Sequence, residues 1–344
     1  MDNPESDERV LRECEMKKLI NNAENCVLEN LEGFIAAHGN EYELVPETHG
    51  IKVKGKPDKT VLITGGGSGH EPMFAYFVGK GLADAAACGN IFASPDPGTI
   101  VNTVMSVENG KGALFVYGNY SGDDLNFDLA AELLEDFGVE TRTVRVMDDV
   151  VSAPKERADD RRGIAGMVFA LKIAGAATAS GLSLDEAYEV VSKARDNLFS
   201  IGIGLSGATI PGQEKPIFTL EDDEIEFGLG IHGEPGIKRM KMMSADEITD
   251  MLFDRIIEES GIKAGDTVCT LVNGLGSTTV LELNIVNRRL NQRLRDAGIC
   301  IHDMMINSFV TSQEMAGASI TLFKVDDELR KYYDMPCDSA YLKK

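Results

Sequence analysis

Thr60-Val-Leu-Ile-Thr-Gly-Gly-Gly-Ser-Gly-His-Glu-Pro72 decides the fold class. A short β-branched run stops at a cluster of glycines, and Pro72 suits the first turn of a helix continuing through Phe77. Strand, glycine loop and helix in that order can gather backbone N–H groups around an anion or a polar oxygen. The spacing is not that of a dinucleotide fingerprint, because the sixth residue from Gly65 is His70. Nor is it a P-loop, because no Lys-Ser/Thr follows the glycines. What remains is a small-ligand loop with an imidazole at its end.

The same alternation continues downstream. Gly112–Tyr117 reads as a buried strand, a polar loop follows, and a helix spans about 126–137 with Gly138 just past its end. Thr141–Met147 alternates as a strand, and 163–178 and 183–197 have the pattern of helices. Upstream, Ile20, Val27, Leu31, Phe34 and Ile35 give 16–37 helical spacing. Beyond residue 200 the texture changes. Ser200–Leu205, Phe218–Leu229, Thr267–Val272, Ile301–Phe309 and Ser319–Val325 read as strands. Ser244-x-x-Glu247 is a capping box opening a helix through Ile257, and another helix covers about 278–296. The expected fold is α/β: two α/β domains, each a mostly parallel or mixed sheet covered by helices. The expected boundaries are a flexible tail 1–15, a first domain 16–197, a second domain 198–335 and a tail 336–344.

Composition excludes several functions. Lys and Arg total 34 against 56 Asp and Glu, a net charge of −22, which repels nucleic acid and anionic lipid. The short basic clusters Arg161-Arg162 and Lys238–Lys241 read as solvated surface charge. No run approaches 18 apolar residues, and the N-terminus lacks an apolar signal segment, so a cytoplasmic protein is expected. Six scattered cysteines form no C-x-x-C pair, so no metal site is signalled. Cys26, Cys269 and Cys300 lie among apolar residues and read as core.

His232 stands in Phe227-Gly-Leu-Gly-Ile-His-Gly-Glu-Pro-Gly236. A histidine flanked by glycines is poorly placed for a core or a helix face, and its ring nitrogens suit chemistry. Asp123 lies in Asn119-Tyr-Ser-Gly-Asp-Asp-Leu-Asn-Phe127, at the carboxyl end of an expected strand, where open α/β sheets bind ligands. There it either caps the next helix or, with Asp124 or Asn126 as the cap, is free for proton transfer. His38, His49 and His302 read as structural or solvated, and Ser277–Thr279 as a helix cap.

Gly65–Pro72, Gly89-Asn-Ile-Phe-Ala-Ser-Pro95, Asn119–Phe127, Phe227–Gly236 and Ser319-Ile-Thr-Leu-Phe-Lys-Val-Asp-Asp-Glu328 occur in order and with compatible spacing. Together they resemble the K subunits of dihydroxyacetone kinases, over about residues 16 to 335. The resemblance implies a phosphotransferase subunit that holds dihydroxyacetone covalently, as a hemiaminal on His232. His70 and Asp123 would then take part in proton transfer, with the choice between them left open. Gly67, Ser68 and Gly69 would contact the substrate through the loop backbone. It also implies a homodimer, and ADP or ATP with Mg2+ on a partner L subunit rather than on this chain. That partner would be recharged by a phosphotransferase-system protein. The chain departs from the family at Gly118, where a lysine usually precedes Asn-Tyr. One ammonium donor is lost and room is expected for a longer ketose such as erythrulose. The same departure fits a ketone-sensing coactivator paralogue.

Overall fold

The computed structural model describes residues 17–344. The expected tail 1–15 lies outside them. Helix α1 spans Cys26–His38. It starts ten residues later than the apolar spacing predicts, since Ile20 is exposed and only Val27, Leu31 and Phe34 turn inward.

The first sheet has strands β1 (Tyr42–Val45), β2 (Gly50–Val53), β3 (Val61–Ser68), β4 (Ala85–Ile91), β5 (Ala113–Gly118) and β6 (Thr141–Val146). Their order is β1-β2-β4-β3-β5-β6. β4, β3, β5 and β6 run parallel, and the β1–β2 hairpin adds to β4 antiparallel. After β3 the chain makes only a 3-10 turn, Ala75–Phe77, instead of a helix from Pro72. Met73 there donates its N–H to Phe309, so tertiary pairing replaces helical bonds.

Helices α2 (Pro97–Val107) and α3 (Ser121–Glu135) cover one face, sending Ile100, Val104, Phe127 and Leu134 into a core with Val61, Ile63 and Phe115. α4 (Met167–Ala179) and α5 (Leu184–Arg195) cover the other. α4 is buried on nearly every side. An all-round apolar helix belongs between two layers, and α4 lies between the sheets, with Phe169 packed 5.3 Å from Phe323.

The second sheet contains β7 (Leu198–Gly204), β8 (Glu224–Phe227), β9 (Lys238–Lys241), β10 (Thr267–Gly274), β11 (Cys300–Asn307) and β12 (Gly317–Lys324). Their order is β11-β10-β12-β7-β8-β9, and only β10–β11 is parallel. Both sheets are therefore mixed. α6 (Ala245–Ser260) and α7 (Val280–Asp296) cover the outer face, each opened by a capping box, Ser244 with Glu247 and Thr279 with Glu282. Cys300 begins the edge strand β11 and is exposed, not core.

The C-terminal expectation needs correction. α8 (Asp327–Tyr333) packs on α4, and the following residues are no free tail. Asp338 pairs with Lys80, Tyr341 stacks on Tyr76 at 5.1 Å, and Cys337 is buried. The apolar contacts of Leu329, Tyr332 and Leu342 draw this segment onto the core beneath the first sheet. Of the basic clusters, Lys238–Lys241 is solvated as expected, whereas Arg161-Arg162 is not loose surface charge. Arg161 is buried against Glu259 at 2.7 Å and Arg162 against Asp149 at 2.8 Å, while Arg239 pairs with Glu226. No helix among the described residues is long and apolar enough to cross a membrane.

Candidate active site

β3, β4 and β5 are neighbours, and their carboxyl ends deliver His70, Phe92 and Asp123 to one place. The loop between β8 and β9 brings His232 from the second sheet. The two imidazoles, 162 residues apart in sequence, meet edge to face with ring centroids 4.7 Å apart. Tyr120 and Phe92 also present their rings to His232, at 4.7 and 5.6 Å.

His70 is fully buried. Its Nδ1 lies 2.6 Å from the carbonyl oxygen of Thr311, and since a carbonyl only accepts, Nδ1 carries the proton. Nε2 is left with a bare lone pair, buried and without a protein partner. Burial, reinforced by the neighbouring His232, pushes His70 down to about 3, so it is neutral at physiological pH.

His232 is oriented in the same way from the opposite side. Its Nδ1 lies 2.8 Å from one oxygen of Glu234, and its backbone N–H donates to the other at 3.0 Å. A carboxylate cannot donate, so Nδ1–H faces Glu234 and Nε2 keeps its lone pair. Burial works against ionising Glu234. The hydrogen bond and charge of His232, helped by Arg162 at 3.9 Å, outweigh it and hold the carboxyl at about 2. Arg162 is itself anchored by Asp149 and by the Gly228 carbonyl. Burial pushes Asp149 up to about 7 against the pull of that arginine.

Asp123 sits in the first turn of α3 but caps nothing. The N-cap position is Tyr120, without a side-chain bond, and the helix begins five residues before its expected start. Neither Asp124 nor Asn126 is the cap. Asp123 is 8% exposed, and its Oδ1 has no partner. Burial pushes its carboxyl up to about 6, against the opposing influence of Ser94 and His232.

The loop residues are held by packing. Ser68 donates its hydroxyl to the Gly89 carbonyl at 2.8 Å, and the Gly69 N–H donates to Glu71 at 2.9 Å. A Cβ on Gly67 would lie 2.8 Å from the Ala93 nitrogen, so only glycine lets these backbones approach. Gly118 does not leave extra room. A Cβ there would already lie 3.1 Å from Met167 Sδ and 3.3 Å from the Gly163 carbonyl oxygen, so neighbours have filled the space.

Thr311, Glu234, Phe92, Tyr120 and Arg162 are contributors that sequence reasoning assigned no role. Glu234 carried a signal, a carboxylate two residues beyond a glycine-flanked histidine. Thr311 carried none. The remaining histidines stay outside the site. His302 pairs with Asp334 at 2.8 Å, His38 packs on Phe34, and His49 lines a pocket of about 580 Å³ whose lining includes none of His70, Asp123 and His232.

The site thus holds two imidazoles whose Nε2 atoms have no protein partner among the described residues, and a carboxyl group pushed up to about 6. Such a set can add to an electrophilic carbon and move a hydroxyl proton.

Comparison with known proteins gives the family. Residues 32–341 match the Dak1 domain model. The chain is 43% identical over 331 residues to the dihydroxyacetone-binding subunit of a PTS-dependent dihydroxyacetone kinase 2 of Listeria innocua, covering 95% of this chain and 99% of that protein. It is 40% identical to an L-erythrulose 1-kinase of Mycolicibacterium smegmatis, covering 94% of this chain but 57% of that longer protein. The solved structure titled dihydroxyacetone kinase operon co-activator Dha-DhaQ superposes with a TM-score of 0.85 at 30% identity, over 90% of this chain and 96% of that one. A match across nearly the whole chain, with an α/β architecture to match, leaves one assignment: the chain belongs to the Dak1 family, that of the dihydroxyacetone kinase K subunits.

Proposed function

We propose that this chain is the substrate-binding subunit of a dihydroxyacetone kinase, a phosphotransferase that captures its ketone on His232. The His232 Nε2 lone pair adds to the ketone carbon. The carbonyl π pair becomes the hydroxyl of a hemiaminal after taking up one proton, and the ring sheds its Nδ1 proton toward Glu234. Selectivity follows from electrophilicity, because glycerol has no C=O to accept the imidazole. The neutral His70 offers Nε2 as a hydrogen-bond acceptor to a substrate hydroxyl. Asp123, half-ionised near pH 6, suits removal of the terminal hydroxyl proton better than His70, whose basicity burial has nearly abolished. Gly67, Ser68 and Gly69 line the approach through their backbone. The observation carrying this reading is the meeting of His70 and His232 with both Nε2 atoms unclaimed by the protein.

The phosphoryl group would come from ADP or ATP with Mg2+ on a partner L subunit, recharged by a phosphotransferase-system protein. The Listeria relative's name carries that dependence. α3 supports such docking. It begins at the site, its outward face shows Leu125 at 69% exposure with Leu129 and Leu133 following, and Phe137, at 63%, stands just past its end. An apolar row on a solvent face marks a contact surface. Homodimerisation and a cytoplasmic location belong to the same reading.

The test is mass spectrometry of the chain with dihydroxyacetone, erythrulose and glycerol, followed by turnover with a nucleotide-loaded L subunit. A reversible adduct mapped to His232 with the ketoses alone, absent in His232→Ala, is the expected result. Turnover by His232→Ala equal to the parent would end the covalent-capture reading. An adduct without turnover for any ketose would favour the sensor, to which the co-activator structure is similar.

A further inference from the structure

Phe92 belongs to Gly89–Pro95, and the chemistry above gives its side chain no task. Its backbone stands at φ 55°, the left-handed region where a Cβ crowds its own carbonyl. Such a conformation in an aromatic residue persists only where the surroundings hold it. Here the Phe92 N–H donates to the Ser68 carbonyl at 2.9 Å, and its Cα rests where a Cβ on Gly67 would come within 3.0 Å. The ring lies over Gly69, where an added Cβ would stand 2.8 Å from Cε1. Phe92 thus packs against two of the loop's glycines, Gly67 through its backbone and Gly69 through its ring. The ring then stacks on His70 at 5.0 Å and 27°, and meets His232 at 5.6 Å and 80°.

We propose that Phe92 is a positioning residue of this site. Its ring covers a face of His70 and fixes the angle between the two imidazoles, so that a dry Nε2 lone pair faces the ligand. Only the identity of that ligand rests on the ketone-capture reading. The titratable groups acting on His70 are His232 and Glu234, both from the loop after β8, while Thr311 contributes its carbonyl. Phe92 adds no charge to this set and acts by excluding water.

The variants are Phe92→Gly, Phe92→Leu and Phe92→Tyr. Glycine suits the positive φ, so Phe92→Gly keeps the local backbone. The first readout is the NMR titration of the His70 ring without ketone. It should move up from about 3 toward the ordinary histidine range in Phe92→Gly and stay with the parent in Phe92→Tyr. Ketone affinity should fall roughly tenfold or more in Phe92→Gly. A folded Phe92→Gly whose His70 titration is unchanged would overturn the proposal, as would one whose affinity stays within about twofold of the parent. Should Phe92→Gly fail to fold, Phe92→Leu is judged by the same two readouts. Because the titration needs no ketone, it decides on Phe92 even if the parent forms no adduct at His232.

Discussion

Glu234 grips His232 at two points, taking the ring Nδ1–H on one carboxylate oxygen and the residue's own backbone N–H on the other. The loop is thereby folded onto its histidine, and the tautomer is chosen before any ligand arrives. The arrangement follows the same logic as the carboxylate that orients a catalytic imidazole in hydrolases.

Glu234→Gln keeps the shape but turns one acceptor into a donor, which faces a donor. Adduct formation at His232 should slow by roughly 10²-fold or more, with little change in unfolding temperature. Stopped-flow or NMR measurement of adduct formation checks this. A rate equal to the parent would mean that the carboxylate does not select the tautomer.

As the proposed base, Asp123 would tie activity to pH. Acting as a base it must be ionised, so turnover should rise through about pH 6, and Asp123→Asn should lower turnover and flatten that limb. Stability runs the other way. A folded value of about 6 against an ordinary 3.8 means that the native chain binds more protons between those values. The group's stabilising contribution is present at low pH and is lost as pH rises through 6. Removing the charge in Asp123→Asn should therefore stabilise the protein at pH 8, by at most about 3 kcal/mol. Denaturant titrations of both proteins at pH 5 and 8 give the sign.

Gly67→Ala meets backbone, not a yielding side chain, at 2.8 Å from the Ala93 nitrogen and 3.0 Å from Phe92 Cα. Overpacking of this kind typically costs about 1–3 kcal/mol. The expected outcome is a lower thermal midpoint together with a weaker His232 adduct, since the loop cannot shift without displacing Phe92.

Leu129→Asp and Leu133→Asp alter the outward face of α3 and touch no core. Stability should change by no more than about 0.5 kcal/mol, and the ketone adduct should be untouched. Turnover with an L subunit should drop sharply. Calorimetry of the two proteins locates the loss in association, and full turnover in both variants would show that the partner seats elsewhere.

The sequence announces β3 through a β-branched run ending in glycines, β5 through a run of large apolar residues, β6 through its alternation, and α6 through its capping box. It hides β4, because Ala85-Ala-Ala-Cys-Gly has no β-branched residue. Those small side chains are what a central strand offers when both of its faces are closely covered. β1, β2 and β9 are only four residues each, too short for an alternation to show. At the site, His70, His232 and Asp123 stood out by their glycine-rich settings. Thr311 contributes a backbone carbonyl, which any residue possesses, so no side chain could have advertised it. Gly118 illustrates the reverse failure. A missing side chain suggested a hole, but Met167 fills it from a helix that begins 49 residues later.

The return of the C-terminal segment to Lys80 has a practical corollary. Severing the chain between Arg195 and Leu198 would not yield one self-sufficient half apiece. The front fragment would lose the Asp338 strap and the Thr311 carbonyl that steadies His70, and the rear fragment would lose the bed for α8. Fragment complementation, rather than separate expression, is the way to dissect this molecule.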